Sequence, residues 1–326
     1  MQTKMIDDSV SLNPSCCTSA FLSTALSIFF INYCEQSPLL VFIVSSIELH
    51  TSSSRRTHNT MTSNPPVTRG TINLTNSTIQ LPTKPTSHLS YTFSPGTPTT
   101  KTLVVFLNGL ILPKSSWQPS IIATQIKCLD NNIPQPHLLS YDRYGQGDSD
   151  THPDDTHDIV SVVNDLHTFL TTFCEQKLQT AMSEMKMVLV ANSIGCAIAR
   201  LYCASHPSTN ISGLILLDSI MAHVNLVSLW PDVDAPGFDK SSLPEGTTIE
   251  EIESVRQQYK QRFHVYAPNP ENLDRSNLAQ LLPHAGSPTL QGNPFLTIVG
   301  HDAETFAEEN EVSIFVFATK RQSEKY

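Results

Sequence analysis

The sequence predicts an α/β fold with a mostly parallel sheet, and three observations predict it. Five short apolar runs recur between residues 100 and 300, helix-like patterns separate several of them, and a strand-like pair precedes them. Short apolar runs are typical of strands buried on both faces, and helical connections are typical of βα units. The predicted buried strands are residues 103–107, 137–141, 187–191, 214–217 and 295–299.

Two strand-like stretches precede these runs. Residues 70–82 and 87–96 alternate polar residues with apolar or β-branched ones, and they end in Pro and Pro-Gly. That alternation is typical of strands with one solvated face, so residues 61–100 are predicted to form antiparallel strands ahead of the core at 101–220.

Two stretches of the core have helical spacing. In residues 157–173, one stripe holds Ile159, Val162, Val163, Leu166, Phe169 and Leu170. After Ser193 a similar stripe continues until Pro207, which ends the helix. Each predicted helix covers a face of the sheet with its apolar stripe.

The first sixty residues differ in character from the rest. Apolar runs at 21–33 and 39–47 are each shorter than the roughly 20 residues that cross a bilayer as a helix, and Glu35 lies between them. Asp7 and Asp8 stand where a signal peptide would carry basic residues. We expect residues 1–60 to be a disordered or non-native leader. A membrane anchor through residues 20–48 and a secretion signal remain alternatives to a cytoplasmic location.

Composition disfavours several classes of partner and site. The formal net charge of −10 disfavours nucleic acids and anionic membranes as partners. The 7 cysteines are scattered without CxxC spacing, so they indicate buried thiols rather than a metal site or a disulfide framework. We expect no metal, no organic cofactor and a small-molecule substrate.

A short motif places one serine where a predicted strand meets a predicted helix. Residues 191–195 read Ala-Asn-Ser-Ile-Gly, and this resembles the G-x-S-x-G nucleophile elbow of the α/β-hydrolases, with Ala191 in place of the first glycine. The resemblance extends over residues 100–310. It implies a doubly wound α/β-hydrolase sheet with an inserted helical cap, Ser193 as nucleophile, the Ile194 N–H as an oxyanion donor and Gly195 in support. A serine there also argues against the carboxylate nucleophile of epoxide hydrolases and dehalogenases.

Two more motifs extend the resemblance. The stretch LNGLILPKSSW is similar to the His-Gly oxyanion loop of the family, with Asn108 in place of histidine and Gly109 retained. It implies that the Leu110 N–H is the second oxyanion donor, with Asn108 and Gly109 in support. The stretch YDRYGQGDSD resembles the D-x-R-G-x-G-x-S loop of the family. In this loop Asp142 and Arg143 are expected to pair, and the role is architectural.

Residues 221–292 match an inserted cap by their position between two predicted strands. The stretch TTIEEIESVRQQYKQRF is predicted to be an amphipathic helix with an N-terminal Thr and early acidic residues. Aromatic residues of this region either line an acyl pocket or pack the cap: Trp230, Phe238, Phe263 and Tyr266.

The acid and the base are the last parts that the resemblance implies. Asp302 follows the strand at 295–299 and is the expected acid, with Glu304 and Asp218 as substitutes. The sequence has no histidine after Asp302, so the candidate bases are His223, His264, His284 and His301. Residues 293–326 are therefore expected to be an incomplete end of the core with an acid loop and an atypical tail.

These motifs predict a serine hydrolase that acts on carboxylic esters by acyl-enzyme chemistry. Without an identified base, simple aryl esters are expected to be hydrolysed very slowly, because loss of triad function costs about 10⁴–10⁶ in turnover. The alternative is a noncatalytic hydrolase-fold protein that binds a small molecule.

Overall fold

The computed structural model describes residues 73–110, 112–154, 156–217, 226–243 and 246–300. The leader predicted at residues 1–60 and the predicted acid loop and tail after residue 300 lie outside the described residues, so those predictions stay untested.

The described residues form nine strands. In chain order they are β1 (Thr75–Leu81), β2 (Lys84–Ser94), β3 (Thr102–Leu107), β4 (His137–Tyr141), β5 (His157–Asp158), β6 (Lys186–Asn192), β7 (Ile211–Leu217), β8 (Leu273–Asp274) and β9 (Phe295–Val299). Every one of the five apolar runs is a strand, with bounds that differ from the prediction by at most three residues.

Seven of these strands form one sheet in the order β1-β2-β4-β3-β6-β7-β9. The strands from β4 to β9 are parallel, and β1 and β2 join them as an antiparallel hairpin. The mostly parallel sheet and the antiparallel pair before it are thus confirmed. The carboxyl ends of β3, β4, β6 and β7 meet at one edge, where the loops that follow them converge.

Five α-helices lie in the described residues: α1 (Gln118–Asp130), α2 (Ile159–Phe173), α3 (Ile194–Ser205), α4 (Ile249–Phe263) and α5 (Leu278–Leu281). On one face of the sheet, α2 and α3 pack against Val105 and Leu189 in the larger apolar core. On the other face, Ile121 of α1 packs against Phe106 and Val190. Helices on both faces confirm the doubly wound arrangement. The helix α1 was not predicted.

The residues between β7 and β9, called here the β7–β9 segment (226–243 and 246–294), contain α4 and α5. Helix α4 begins with a capping box, in which Thr248 and Glu251 bond each other's backbone N–H. The predicted amphipathic helix is therefore confirmed. Its apolar side packs on Trp230 in a small cluster of its own, so this tryptophan serves packing.

Four cysteines of the described residues are buried: Cys128, Cys174, Cys196 and Cys203. Burial raises the pKa of Cys174 and of Cys203 to about 12. These two thiols stay protonated and unreactive at neutral pH. In the same described part of the chain, no helix combines the length and apolar character needed to cross a membrane.

Candidate functional site

Ser193 occupies a sharp turn between the end of β6 and the start of α3. Its backbone has φ 53° and ψ −121°, a conformation that strains any residue with a Cβ by about 1–3 kcal/mol. The turn is held on both sides, because the Ser193 N–H donates to the Leu217 carbonyl at 3.0 Å and the Ser193 carbonyl accepts from the Cys196 N–H at 3.0 Å. The Ser193 hydroxyl caps no helix and forms no hydrogen bond with any described residue.

Gly195 allows the start of α3 to lie against the end of β3. A Cβ placed on Gly195 would lie 2.6 Å from the Leu107 carbonyl oxygen and 2.9 Å from that of Asn108. Backbone oxygens cannot yield that space, so a glycine is required at this position. Ala191, which replaces the first glycine of the motif, is fully buried in β6, and its methyl group fits there.

The β3 loop, defined as residues 108–110, lies beside this turn. The Cβ position of Gly109 is 3.5 Å from the Ser193 Cβ and 2.9 Å from the Asn192 side-chain oxygen. The structure therefore places the β3 loop, which holds Asn108, Gly109 and Leu110, beside the turn that holds Ser193, Ile194 and Gly195. The Leu110 N–H donates to no acceptor among the described residues. The Ile194 N–H is the first of α3 and has no acceptor within the helix.

The buried side chain of Asn108 fixes the base of the β3 loop. Its Nδ2 donates to the Tyr141 carbonyl at 2.9 Å and to Gln146 Oε1 at 2.9 Å, while its Oδ1 accepts from the indole of Trp117 at 2.9 Å. An asparagine can satisfy these donors and acceptors together. Asn108 is therefore committed to holding the loop and not to contacting a ligand.

The prediction that Asp142 forms an ion pair with Arg143 is wrong. Asp142 instead accepts from the Lys114 backbone N–H at 2.6 Å and from the Lys114 ammonium at 3.0 Å. Burial by itself would lower the pKa of Lys114, but the carboxylates of Asp148 and Asp142 outweigh burial and raise that pKa. The two neighbouring side chains take different long-range partners. Gly145 and Gly147 both have positive φ, a backbone conformation that glycine adopts without steric cost.

Arg143 pairs with a residue from the β7–β9 segment. Its Nε donates to Glu271 Oε2 at 2.7 Å and its Nη2 to Glu271 Oε1 at 2.8 Å, a two-point pair in which both side chains are buried. The same guanidinium donates to two carbonyls of the β3 loop, those of Asn108 at 2.8 Å and Gly109 at 2.9 Å. Burial alone would lower the pKa of Arg143, but Glu271 outweighs burial and raises it. No sequence motif identified Glu271.

None of the candidate bases contacts Ser193 in the described part of the chain. His264 follows α4 and lies beside Tyr266, with 5.5 Å between the ring centroids. His284 is exposed and its ring accepts from the Gly286 N–H at 3.3 Å. His223 and His301 lie outside the described residues, as do the three candidate acids Asp218, Asp302 and Glu304.

A second cluster of polar side chains lines an open pocket of about 370 Å³ beside the paired strands β5 and β8. The imidazoles of His152 and His157 stack there with ring centroids 4.3 Å apart. Desolvation, helped by the neighbouring His152, lowers the pKa of His157 to about 4. Three acidic residues share the pocket wall, but no group of metal-ligating side chains suited to an ion is present among the described residues.

One family of known proteins matches the sequence directly. Residues 134–279 match the Hydrolase_4 family, described as serine aminopeptidase, S33. No curated protein matches the chain.

Solved structures with a similar arrangement include several α/β-hydrolases. One comes from a Medee basin deep-sea metagenome library, at 18% identity and TM-score 0.35 over 46% of this chain and 47% of that one. Another, from Novosphingobium aromaticivorans, has 18% identity and TM-score 0.36 over 49% of each chain. A third, described with carboxylesterases of Nitrososphaera gargenis, has 16% identity and TM-score 0.33 over 43% of this chain and 44% of that one. The chain spans about half the length of these structures.

Proposed function

We propose that this chain is an α/β-hydrolase, and that it is a serine hydrolase of carboxylic esters that acts through an acyl-enzyme at Ser193. One observation carries the proposal: Ser193 keeps a strained backbone conformation while its hydroxyl is unused by any described residue. Strain of this kind persists only where surrounding contacts maintain it, and it is concentrated at functional sites.

The proposed chemistry begins with attack of the Ser193 oxygen on the ester carbonyl carbon, while the hydroxyl proton passes to a base. The carbonyl oxygen becomes an anion, which the N–H groups of Leu110 and Ile194 stabilise by hydrogen bonds. Collapse of this intermediate breaks the bond to the alcohol oxygen, which takes the proton from the base. Water then attacks the acyl-enzyme by the same route and releases the acid.

Asp302 is the proposed acid that orients the base, which stays unassigned. Asp302 follows β9 in the sequence, and β9 runs parallel to β7 and β6, so the carboxyl end of β9 lies at the edge of the sheet that carries the Ser193 turn. Removing one member of such a triad costs several orders of magnitude in turnover, but the oxyanion donors alone retain roughly 10³-fold catalysis over water.

Labelling with a fluorophosphonate probe tests the proposal. We expect a covalent adduct on the peptide that contains Ser193, and no adduct in Ser193→Ala. The matched control is Ser254→Ala, which removes an exposed serine of α4 and leaves labelling unchanged. A folded wild-type chain that retains a small ligand but never labels would overturn the proposal and favour a noncatalytic binding protein.

A further inference from the structure

We propose that the Arg143–Glu271 ion pair positions the Gly109–Leu110 peptide so that its N–H faces Ser193, and that it thereby couples the β7–β9 segment to the oxyanion site. This inference rests on the function proposed above. It assigns Arg143 and Glu271 as positioning residues, because neither is placed to touch the reacting atoms.

The orientation of this peptide follows from its carbonyl. The Gly109 carbonyl oxygen accepts from Arg143 Nη2 at 2.9 Å and from Gln146 Nε2 at 2.9 Å. The peptide is trans, so its C=O and N–H point in opposite directions. The Leu110 N–H therefore points away from Arg143 and Gln146. Gly109 lies beside the turn at Ser193, because a Cβ added to Gly109 would be 3.5 Å from the Ser193 Cβ.

The same two bonds prevent the opposite orientation. If the peptide rotated, Arg143 Nη2 and Gln146 Nε2 would each lose the Gly109 acceptor and keep only their bonds to Glu271 Oε1, at 2.8 and 3.5 Å. A buried N–H group that loses its acceptor is unfavourable, above all on a charged donor. The rotated peptide would also present an oxygen where the developing anion needs a donor. Holding the carbonyl is therefore equivalent to holding the oxyanion donor.

Only an arginine has the geometry for these contacts. The guanidinium is a rigid planar fork, and here it bonds the Glu271 carboxylate at 2.7 and 2.8 Å while it also reaches the carbonyls of Asn108 and Gly109. The Glu271 carboxylate fixes the plane of the fork and balances its buried charge. A lysine would keep the charge but could not hold this arrangement.

Glu271 brings the β7–β9 segment into this network. Gly145 permits its approach, because a Cβ on Gly145 would lie 2.8 Å from the Glu271 Cα. Gly145 belongs to the loop after β4, next to Arg143, so the carboxylate and the guanidinium meet at a contact built from both parts of the chain. A shift of the segment at Glu271 would therefore move the guanidinium and release the Gly109 carbonyl.

The test measures the rate of fluorophosphonate labelling at Ser193 over a range of probe concentrations. We expect Arg143→Lys to lower the maximal rate by about 10²-fold, the lower range for loss of one oxyanion donor, and Glu271→Gln to lower it by about 10-fold. The probe concentration that gives half of the maximal rate should not change, because the probe's binding contacts are intact. If the ion pair only stabilised the fold, its loss would not lower the maximal labelling rate while it leaves the half-maximal probe concentration unchanged.

The matched control is Lys84→Arg, which alters another largely buried ion pair, that of Lys84 with Asp165, without a hydrogen bond to the β3 loop. It should leave both labelling parameters unchanged. Glu271→Gln is nearly isosteric and decides the question if Arg143→Lys does not fold. Wild-type rates in both folded variants, or equal losses in Lys84→Arg, would overturn this inference alone. A wild-type chain that does not label would overturn the proposed function and this inference with it.

Discussion

The sheet with its helices α2 and α3 differs sharply from the β7–β9 segment in how its residues are buried. Helix α2 buries 9 of its 15 residues, whereas α4, also of 15 residues, buries only Ile252. The segment joins the core through specific polar contacts, such as Glu271 with Arg143 and Asn277 with Asp158 at 2.9 Å. Ser193 and the β3 loop thus belong to the densely buried part of the molecule, and the β7–β9 segment is attached to that part at a few defined points.

This difference teaches that two parts of the chain have different roles. The apolar core provides most of the stability, and the β7–β9 segment contributes polar contacts that orient individual groups. Apolar burial in the core is worth far more free energy than the exposed surface of α4. The polar contacts between the β7–β9 segment and the core add less stability, but they fix the orientation of the side chains and peptides that they bond. Three substitutions test this division, from the largest expected effect to the smallest.

Phe169→Ala should lower the free energy of unfolding by about 3–5 kcal/mol. Phe169 is fully buried in α2 and stacks on Tyr141 with 4.6 Å between ring centroids, so its removal leaves a cavity in the larger core. Urea unfolding followed by circular dichroism measures the loss. The control is Tyr266→Ala in the β7–β9 segment, where the side chain is 75% exposed, and the change should stay within about 0.5 kcal/mol. Equal losses would contradict the division between the two regions.

His157 lies where the core meets the β7–β9 segment, because its strand β5 pairs with β8 of that segment. Its pKa is lowered to about 4 by burial and then by His152, so between pH 6.5 and 4 the unfolded chain binds more protons than the folded chain. The free energy of unfolding should therefore fall as the pH drops through this range, by at most about 1.4 kcal/mol per unit from this group.

His157→Phe should reduce that pH dependence, measured as urea midpoints at several pH values. Phenylalanine retains a flat ring to stack on His152, and neither ring nitrogen of His157 has a partner among the described residues. The control His284→Phe removes an exposed histidine and should leave the slope as in the wild type. An unchanged slope in His157→Phe would show that other groups govern the acid sensitivity.

Ser193→Gly should raise the free energy of unfolding by about 1 kcal/mol relative to Ser193→Ala. Both variants lose the hydroxyl, but only glycine relieves the strain at φ 53°, and part of the gain is offset by the greater freedom of glycine in the unfolded chain. Urea unfolding of the two variants gives the difference. If alanine proved as stable as glycine, the turn would not store strain, and the main support for the proposed nucleophile would be lost.

The local pattern of the sequence was sufficient to predict most strands of the sheet. The runs at β4 and β9 match the prediction at both ends, because periodicity and turn residues act on neighbours along the chain. Helix α1 was missed, although Pro119 near its start was a signal for it. The turn at Ser193 and its contact with Gly109 were anticipated because the motifs are short and the parallel strands bring their ends together.

The sequence by itself determined that a serine turn follows a buried parallel strand and that a glycine loop follows the neighbouring strand. Only the tertiary structure decided that Arg143 pairs with Glu271, 128 residues away, and not with the adjacent Asp142. The physical reason is that buried charges take the partners that packing brings within hydrogen-bond distance, and sequence proximity gives no such guarantee. The same packing decided which side of the Gly109–Leu110 peptide faces Ser193, since its carbonyl is held by side chains from the loop after β4.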